Sequence, residues 1–291
     1  MQRRIGFHVS IEGGLPRAVE RALERGCTTL QVFCGNPRGW EMQPRSAGEI
    51  AEFRQARARA HLRPLFVHSC YLVNPASPDD AVYRRSVRRM SAELSASAAM
   101  GADCYVLHPG SHKGRTAEWG LDRAASAIAQ AVRLALSGGN SGHSTAVLLE
   151  NMAAPHGPGG DFARLGRLVR QVESDMPTAR MGVAVDSCHA FGAGYDLRHR
   201  GEVERLVADL RREIGLERLG LIHVNDSRDQ PGSRRDRHDH IGKGTIGLEG
   251  LRNLLTHPAV SSRPMILETP WVSVATDRRN LKAALGLLAH V

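Results

Sequence analysis

Short apolar segments recur eight times along this chain, and each is followed by a stretch with helical character. They are rich in Val, Ile, Leu and Phe and carry few charges, which is typical of strands covered on both faces of a parallel sheet. The predicted strands are Ile5–Val9, Thr28–Phe33, Leu65–His68, Cys104–His108, Ala146–Glu150, Gly182–Asp186, Leu219–Ile222 and Pro264–Glu268.

The segments between the strands predict the crossover helices that parallel pairing requires. The predicted helices are Arg17–Arg25, Ala47–His61, Pro78–Met100, Ala117–Leu136, Phe162–Ser174, Glu202–Ile214, Leu248–Leu255 and Asp277–Leu288. Eight such units favour a closed (β/α)₈ TIM barrel over an open sheet. No linker or shift in composition divides the chain, so we expect residues 1–291 to form a single barrel domain.

The composition excludes several classes of protein. No apolar run approaches the 18 residues of a membrane span, and the N-terminus lacks the apolar core of a signal peptide. The five cysteines form no CxxC pair and are odd in number, so a disulfide framework is not expected. We therefore expect a cytoplasmic protein without membrane contacts.

The net charge of +9 favours a polyanionic partner, with nucleic acid as the leading candidate. Only Lys113, Lys243 and Lys282 are lysines, so arginine supplies nearly all of the positive charge. A biased coding composition would produce the same excess. Charge alone therefore permits nucleic-acid binding but does not identify it.

Polar side chains stand at or just after the carboxyl end of each predicted strand, and in a barrel these ends share one mouth. They are His8, Asn36, His68, His108, Glu150, Asp186, His223 and Glu268. One such histidine could simply be a core residue bonded to the backbone. Burying so many polar groups without partners would cost several kcal/mol each. The recurrence on different strands therefore predicts a metal site.

Further metal-ligand types lie beside these strand ends. His189 follows Asp186 by three residues, and Asp236 and His238 occupy alternate positions that face the same way in extended backbone. Cys188 has no second cysteine beside it and is better explained as a packed residue. Mixed nitrogen and oxygen donors suit zinc, manganese or iron better than calcium or magnesium. So many ligands imply more than one ion, and clustered divalent ions favour phosphoryl chemistry.

The chain resembles the endonuclease IV family, metal-dependent apurinic/apyrimidinic (AP) endonucleases on a TIM barrel. The matching stretches span nearly the whole chain and are GFHVS, FCGNPRGW, HSCYLVN, LHPGSHKG, LLEN, GVAVDSCHAFGAGYDLR, HVNDSRDQPGSRRDRHDHIGKGTIG and LETP. The resemblance implies a DNA-repair enzyme with three zinc ions. Such an enzyme hydrolyses double-stranded DNA on the 5′ side of abasic or damaged sites and leaves 3′-hydroxyl and 5′-deoxyribose-phosphate ends.

The resemblance also implies how the ligands are shared among the ions. Three sets are implied, two of which contain Glu150: His68, His108 and Glu150; Glu150, Asp186, His223 and Glu268; and His189, Asp236 and His238. Glu150 and Glu268 are the predicted catalytic carboxylates. Manganese is the alternative to zinc at one site.

The mouth loops of this family contact DNA, which implies a set of binding residues here. They are Arg38, Trp40, Tyr71, Ser111 and His112. From the residues alone, Trp40 and Tyr71 are better explained by packing at the rim, and Ser111 and His112 could cap a loop. The resemblance favours lesion contacts for Arg38 and Tyr71. We expect the protein to be a monomer.

One loop departs from the family pattern. The family continues Glu-Asn-Thr-Ala-Gly after the bridging glutamate, whereas this chain has Met152, Ala154 and Pro155 after Glu150-Asn. We expect this change to weaken bonds that orient neighbouring ligands.

Two other functions stay open at this stage. A metal-dependent sugar isomerase or epimerase on a related TIM barrel would share the fold and some of the ligands. It would not need the third set, His189, Asp236 and His238, or the basic balance. A DNA-binding protein without catalysis is the other alternative, and the complete ligand set argues against it.

Overall fold

Eight parallel strands close into a barrel in the computed structural model, which describes residues 3–137, 145–154 and 157–289. The barrel strands are β1 (Ile5–His8), β2 (Thr29–Phe33), β3 (Leu65–His68), β4 (Cys104–Leu107), β5 (Ala146–Glu150), β6 (Met181–Asp186), β7 (Leu219–His223) and β10 (Met265–Leu267). Neighbours pair in chain order, and β10 closes the barrel against β1. The predicted (β/α)₈ fold is confirmed, with every strand boundary within one residue of its prediction.

Helices cover the outside of the barrel. They are α1 (Leu15–Arg25), α2 (Ala47–Arg59), α3 (Asp80–Met100), α4 (Ala117–Ser137), α5 (Phe162–Asp175), α6 (Ser187–Ala193), α7 (Arg200–Glu213), α8 (Gly247–Leu255) and α9 (Val274–Leu287), with a 3₁₀ turn at Leu216–Arg218. Among the residues that the structure describes, none of these helices has both the length and the apolar content that crossing a bilayer requires.

Capping residues explain where two helix predictions were wrong. Helix α3 begins at Asp80 rather than Pro78, because the Asp79 carboxylate caps it and accepts hydrogen bonds from the amides of Ala81 and Val82. Helix α9 begins at Val274, three residues before the prediction, because the Ser273 hydroxyl accepts from the Thr276 amide.

Short elements outside the barrel were not predicted. Helix α6 has only seven residues, and strands β8 (Asp226–Ser227) and β9 (His238–Asp239) form a two-residue antiparallel pair. Segments this short carry little periodic signal.

A layer of apolar side chains fills the barrel interior below the mouth. Its members are Phe66, Val106, Leu148, Ala184, Leu221 and Ile266, each at most 3% exposed. Because strand side chains alternate, the residue two positions further on faces the same way. Those residues are His68, His108, Glu150, Asp186, His223 and Glu268. The core layer therefore supports a ring of polar side chains at the carboxyl end of the barrel.

Candidate metal centre at the barrel mouth

The nine predicted metal ligands converge at this mouth. The mouth opens as a cavity of about 1100 Å³, with His68, His108, His189, Asp236, His238 and Glu268 in its wall. Glu150, Asp186 and His223 are fully buried. Residues at the carboxyl ends of six strands, in α6 and in the β8–β9 segment therefore meet in one place.

Glu150 lies at the centre of the cluster. Its Oε2 is 3.3 Å from both His68 Nε2 and His108 Nε2, and its Oε1 is 3.1 Å from His223 Nδ1. The two carboxylate oxygens thus face different histidines. In His68–His108–Glu150 and in Glu150–Asp186–His223–Glu268, the ligand atoms lie within 4.8 Å of one another. One glutamate can therefore serve two neighbouring sites.

The third group combines a helix and a loop. Asp236 Oδ2 lies 3.1 Å from His189 Nε2, and Asp236 Oδ1 lies 3.1 Å from His238 Nε2. The Asp186 carboxylate caps α6 by accepting from the His189 amide over 2.8 Å, which explains the three-residue spacing. Strand β9 carries His238.

Backbone carbonyls hold three of the histidine rings in place. The Nδ1 atoms of His68, His189 and His238 lie 2.9–3.0 Å from the carbonyl oxygens of Ser69, Asn151 and Glu268, respectively. A carbonyl can only accept, so each Nδ1 carries the proton. In the neutral ring each Nε2 therefore keeps its lone pair towards the cluster, as metal-ligating histidines require.

Gln31, which was not among the predicted site residues, holds the fourth ring. The Gln31 Oε1 accepts from His223 Nε2 over 2.9 Å, and Gln31 Nε2 donates to Glu268 Oε1 over 2.6 Å. This buried amide therefore orients two candidate ligands at once. Asn36, the polar residue that the sequence predicts for this strand end, lies beyond β2, is exposed, and accepts from the Arg38 amide. A glutamine buried in an apolar strand was the available signal.

Replacing Gln31 by leucine is expected to weaken metal binding by about 10- to 100-fold, because outer bonds of this kind fix ligand orientation. Competition with a chromophoric chelator measures the affinity. Gln171→Leu is the matched control, since this half-buried glutamine of α5 donates to Asp122, away from the mouth. Equal affinities for the two variants would remove Gln31 from the site.

Opposite charges set the protonation of the cluster. Burial disfavours ionisation of Glu150, but the charges of His223 and His108 outweigh it and hold the pKa of Glu150 well below its ordinary value. Burial also disfavours charged histidines. The neighbouring carboxylates outweigh that effect too, and they raise the pKa of His223 and of His238 to about 9. Without metal, protons on these rings balance the carboxylates.

Several buried atoms of the cluster make ion-pair contacts within it but no hydrogen bond of good geometry among the described residues. They are Glu150 Oε1, His223 Nδ1 and His238 Nε2. Leaving such atoms unpaired is costly, and a cation in the group of Glu150 and His223 with another in the group of His238 would satisfy them. The mixed imidazole and carboxylate donors fit divalent zinc or manganese. These groups can therefore hold metal ions.

The loop after Glu150, whose sequence differs from the family pattern, still contacts the neighbouring ligands through Asn151. The Asn151 Oδ1 accepts from the Asp186 amide over 2.7 Å, and its carbonyl accepts from His189. The Met152 amide donates to the carbonyl of Gly159 over 2.8 Å. The ligand-orienting bonds thus come from Asn151, which keeps the family's identity. Pro155 lies outside the described residues.

The five predicted DNA contacts differ in exposure. Arg38 is exposed and Tyr71 is 60% exposed, and both line the mouth cavity. Trp40 is half-buried beneath the Arg85 guanidinium, 6.0 Å from the ring centre.

Ser111 and His112 lie in a loop after β4. The Ser111 amide donates to Asn74 Oδ1 over 2.9 Å, and His112 is buried against Gly120 of α4. DNA contacts for all five residues stay predictions.

Known proteins are similar to this chain in both sequence and fold. A family profile described as Xylose isomerase-like TIM barrel matches residues 19–290. A probable endonuclease 4 from Halothermothrix orenii is 41% identical over 93% of this chain and 94% of its own length. Endonuclease IV from Thermus thermophilus superposes with a TM-score of 0.86 at 34% identity, over 99% of this chain and 100% of its own.

A D-tagatose 3-epimerase-like protein superposes with a TM-score of 0.68 at 20% identity, over 98% of each chain, which shows the shared barrel alone. The endonucleases resemble this chain in sequence as well as in fold, and the resemblance extends over nearly the whole length. The chain belongs to the endonuclease IV family.

Proposed function

We propose that this protein is a zinc-dependent AP endonuclease that acts as a monomer on duplex DNA. It hydrolyses the phosphodiester on the 5′ side of an abasic site and leaves 3′-hydroxyl and 5′-deoxyribose-phosphate ends. The observation that carries the proposal is the cluster of nine ligand-type residues in overlapping groups around Glu150, at the base of a wide mouth. Each group would hold one zinc ion, and manganese could replace zinc at one site.

The reaction forms a bond from a water oxygen to phosphorus and breaks the bond from phosphorus to the 3′ oxygen, which takes up a proton. Divalent ions, when bound, polarise the phosphate and lower the pKa of water. Glu150 would ligate two of them, since its oxygens face different histidines. Glu268 would be held for its ion by Gln31 and by His8, whose Nδ1 lies 3.1 Å away.

Recognition of the lesion would rest on the rim. An abasic nucleotide has no base to unstack, so it costs less to extrude into the mouth than an intact one. Arg38 and Tyr71 line the cavity and could hold the distorted duplex there. Contacts to phosphate give affinity without sequence preference.

Sizing the products from a labelled duplex with one abasic site tests the proposal. The expected product ends in a 3′-hydroxyl, so a DNA polymerase extends it directly. A contaminating lyase would leave a blocked 3′ end that is not extended, and an intact duplex should stay uncut. A metal-replete protein that leaves the abasic duplex uncut but interconverts ketose sugars would instead support the epimerase alternative. That alternative has no use for the third group, His189, Asp236 and His238.

Arg38→Ala and Tyr71→Ala are each expected to reduce the preference for abasic over intact duplex by about tenfold, because each removes a lesion contact while most phosphate contacts stay. Paired binding measurements on both duplexes at two salt concentrations give the ratio. Arg211→Ala, at the carboxyl end of α7, is the control and should leave the ratio unchanged. If the two rim variants also keep it, these side chains do not read the lesion.

Loading the metal-free protein with zinc at neutral pH is expected to release protons. The pKa of His223 and of His238 is raised to about 9, so both rings are protonated below that pH and must become neutral to bind metal. Affinity should therefore rise as pH increases from 7 towards 9. Calorimetry in buffers of different ionisation enthalpy counts the protons. A heat that is independent of the buffer would contradict the raised pKa values.

A further inference from the structure

A buried ion pair on α3 lies behind the mouth and belongs to none of the metal groups. Arg89 and Glu93 are 3% and 1% exposed, and Arg89 Nε donates to Glu93 Oε1 over 2.8 Å. Replacing such a pair by apolar side chains is often neutral or stabilising, because the desolvation of both charges offsets their attraction. Stability is therefore a weak explanation for this pair, and its other contacts need an account.

The guanidinium of Arg89 holds one loop of the rim. Its Nη atoms donate to the carbonyl oxygens of Glu41 over 2.9 Å, Asn36 over 3.2 Å and Trp40 over 3.4 Å. A side chain at Gly35 would bring its Cβ within 3.2 Å of the guanidinium, so the glycine permits the close approach. Arg89 thus satisfies backbone carbonyl oxygens on the inner side of residues 36–41 that would otherwise need water as a donor.

The carboxylate of Glu93 holds a second loop. Glu93 Oε1 accepts from the Cys70 amide over 3.1 Å, and Oε2 accepts from the Tyr105 hydroxyl over 2.7 Å. The two loops also bond directly, since the Tyr71 amide donates to the Pro37 carbonyl over 3.0 Å. We name residues 36–41 and 70–72 the two rim loops. The ion pair and this bond join them into one unit.

We infer that the Arg89–Glu93 pair positions the two rim loops so that Arg38 and Tyr71 meet the damaged duplex at a fixed separation. The inference rests on the proposed function and adds positioning residues that touch no DNA themselves. Its physical basis is the rigid fork of arginine, which can serve several carbonyls at once. A shift of about 1 Å in a positioning element can cost about 100-fold in rate.

The test uses the neutral double variant Arg89→Met with Glu93→Gln, which leaves no unpaired buried charge. Hydrogen exchange without DNA should speed up at the amides of the two rim loops and stay unchanged in the barrel strands. On abasic duplex, KM should rise about tenfold or more with a smaller change in kcat, and metal content should be unchanged. Arg89→Lys keeps a charge beside Glu93 but not the fork, so it should also loosen residues 36–41.

Arg57→Met is the matched control. This arginine of α2 holds the carbonyls of Gly101 and Leu62, over 2.8 and 3.4 Å, before β4 and β3 at the opposite end of the barrel. It should leave the exchange of the rim loops and KM unchanged.

Two outcomes would overturn the inference: unchanged exchange of the rim loops in the double variant, or faster exchange with unaltered KM. If wild-type protein cuts no abasic duplex, the proposed function fails. The exchange measurement still decides whether the pair holds the loops.

Discussion

Replacing Glu150 by glutamine is expected to lower kcat on abasic duplex by about 1000-fold or more, or about 4 kcal/mol of activation free energy. Each oxygen of this carboxylate contacts a different histidine: Oε2 lies 3.3 Å from His108 Nε2, and Oε1 lies 3.1 Å from His223 Nδ1. The substitution keeps the volume of the side chain, but it removes the negative charge and turns one acceptor into a donor. Two metal groups should therefore be disturbed together.

Single-turnover kinetics and elemental analysis of the same preparation check this expectation. Glu173→Gln is the matched control, because this glutamate pairs with Arg218 on the surface and should change kcat less than twofold, as a contact far from the mouth. Circular dichroism should show both variants folded. Turnover of Glu150→Gln within about tenfold of wild type, or about 1.4 kcal/mol, would exclude the bridging role.

Removal of the metal ions is expected to abolish cleavage, with a loss of about 10⁴-fold or more, since hydroxide generation and charge neutralisation would both be lost. Elemental analysis of the active protein should approach three ions per chain, mainly zinc, one for each of the three ligand sets that the family resemblance implies. Zinc added back should restore activity. Magnesium alone should not, because imidazole ligands suit it poorly.

A thermal melt provides a second readout of the same experiment. Ions that bind only the folded chain raise its melting temperature by mass action.

His68→Ala removes a ligand of the first group only, so it should lower the zinc content by about one ion. Full activity after exhaustive chelation, or a stoichiometry of one ion in fully active protein, would contradict the three-ion proposal.

The barrel could be predicted from the sequence because its strands are local patterns. Each apolar run is short and bounded by turn residues, and six of them carry a polar residue two positions beyond the interior layer. On β5, for example, Leu148 belongs to the interior layer and Glu150 stands two residues later on the same face. Alternation along a strand is a property of backbone geometry, so the sequence alone determines which side chains share the mouth.

Helix caps and short elements were less predictable. Asp79 and Ser273 determine helix starts through bonds to single amides, and many similar residues elsewhere in the chain do not cap anything. Helix α6 was missed, although Asp186 and His189 were both singled out. The bond between them, 2.8 Å long, is both a helix cap and a constraint on two ligands.

The sequence by itself determined the fold class and the identity of the nine candidate ligands, because both depend on residue type and local period. The tertiary structure decided how those ligands are grouped and what supports them. Gln31 meets His223 across 192 positions of the chain, and Arg89 reaches Trp40 across 49. Such contacts exist only once the barrel closes and the helices pack around it. No local pattern distinguishes an arginine that makes such contacts from one that faces water.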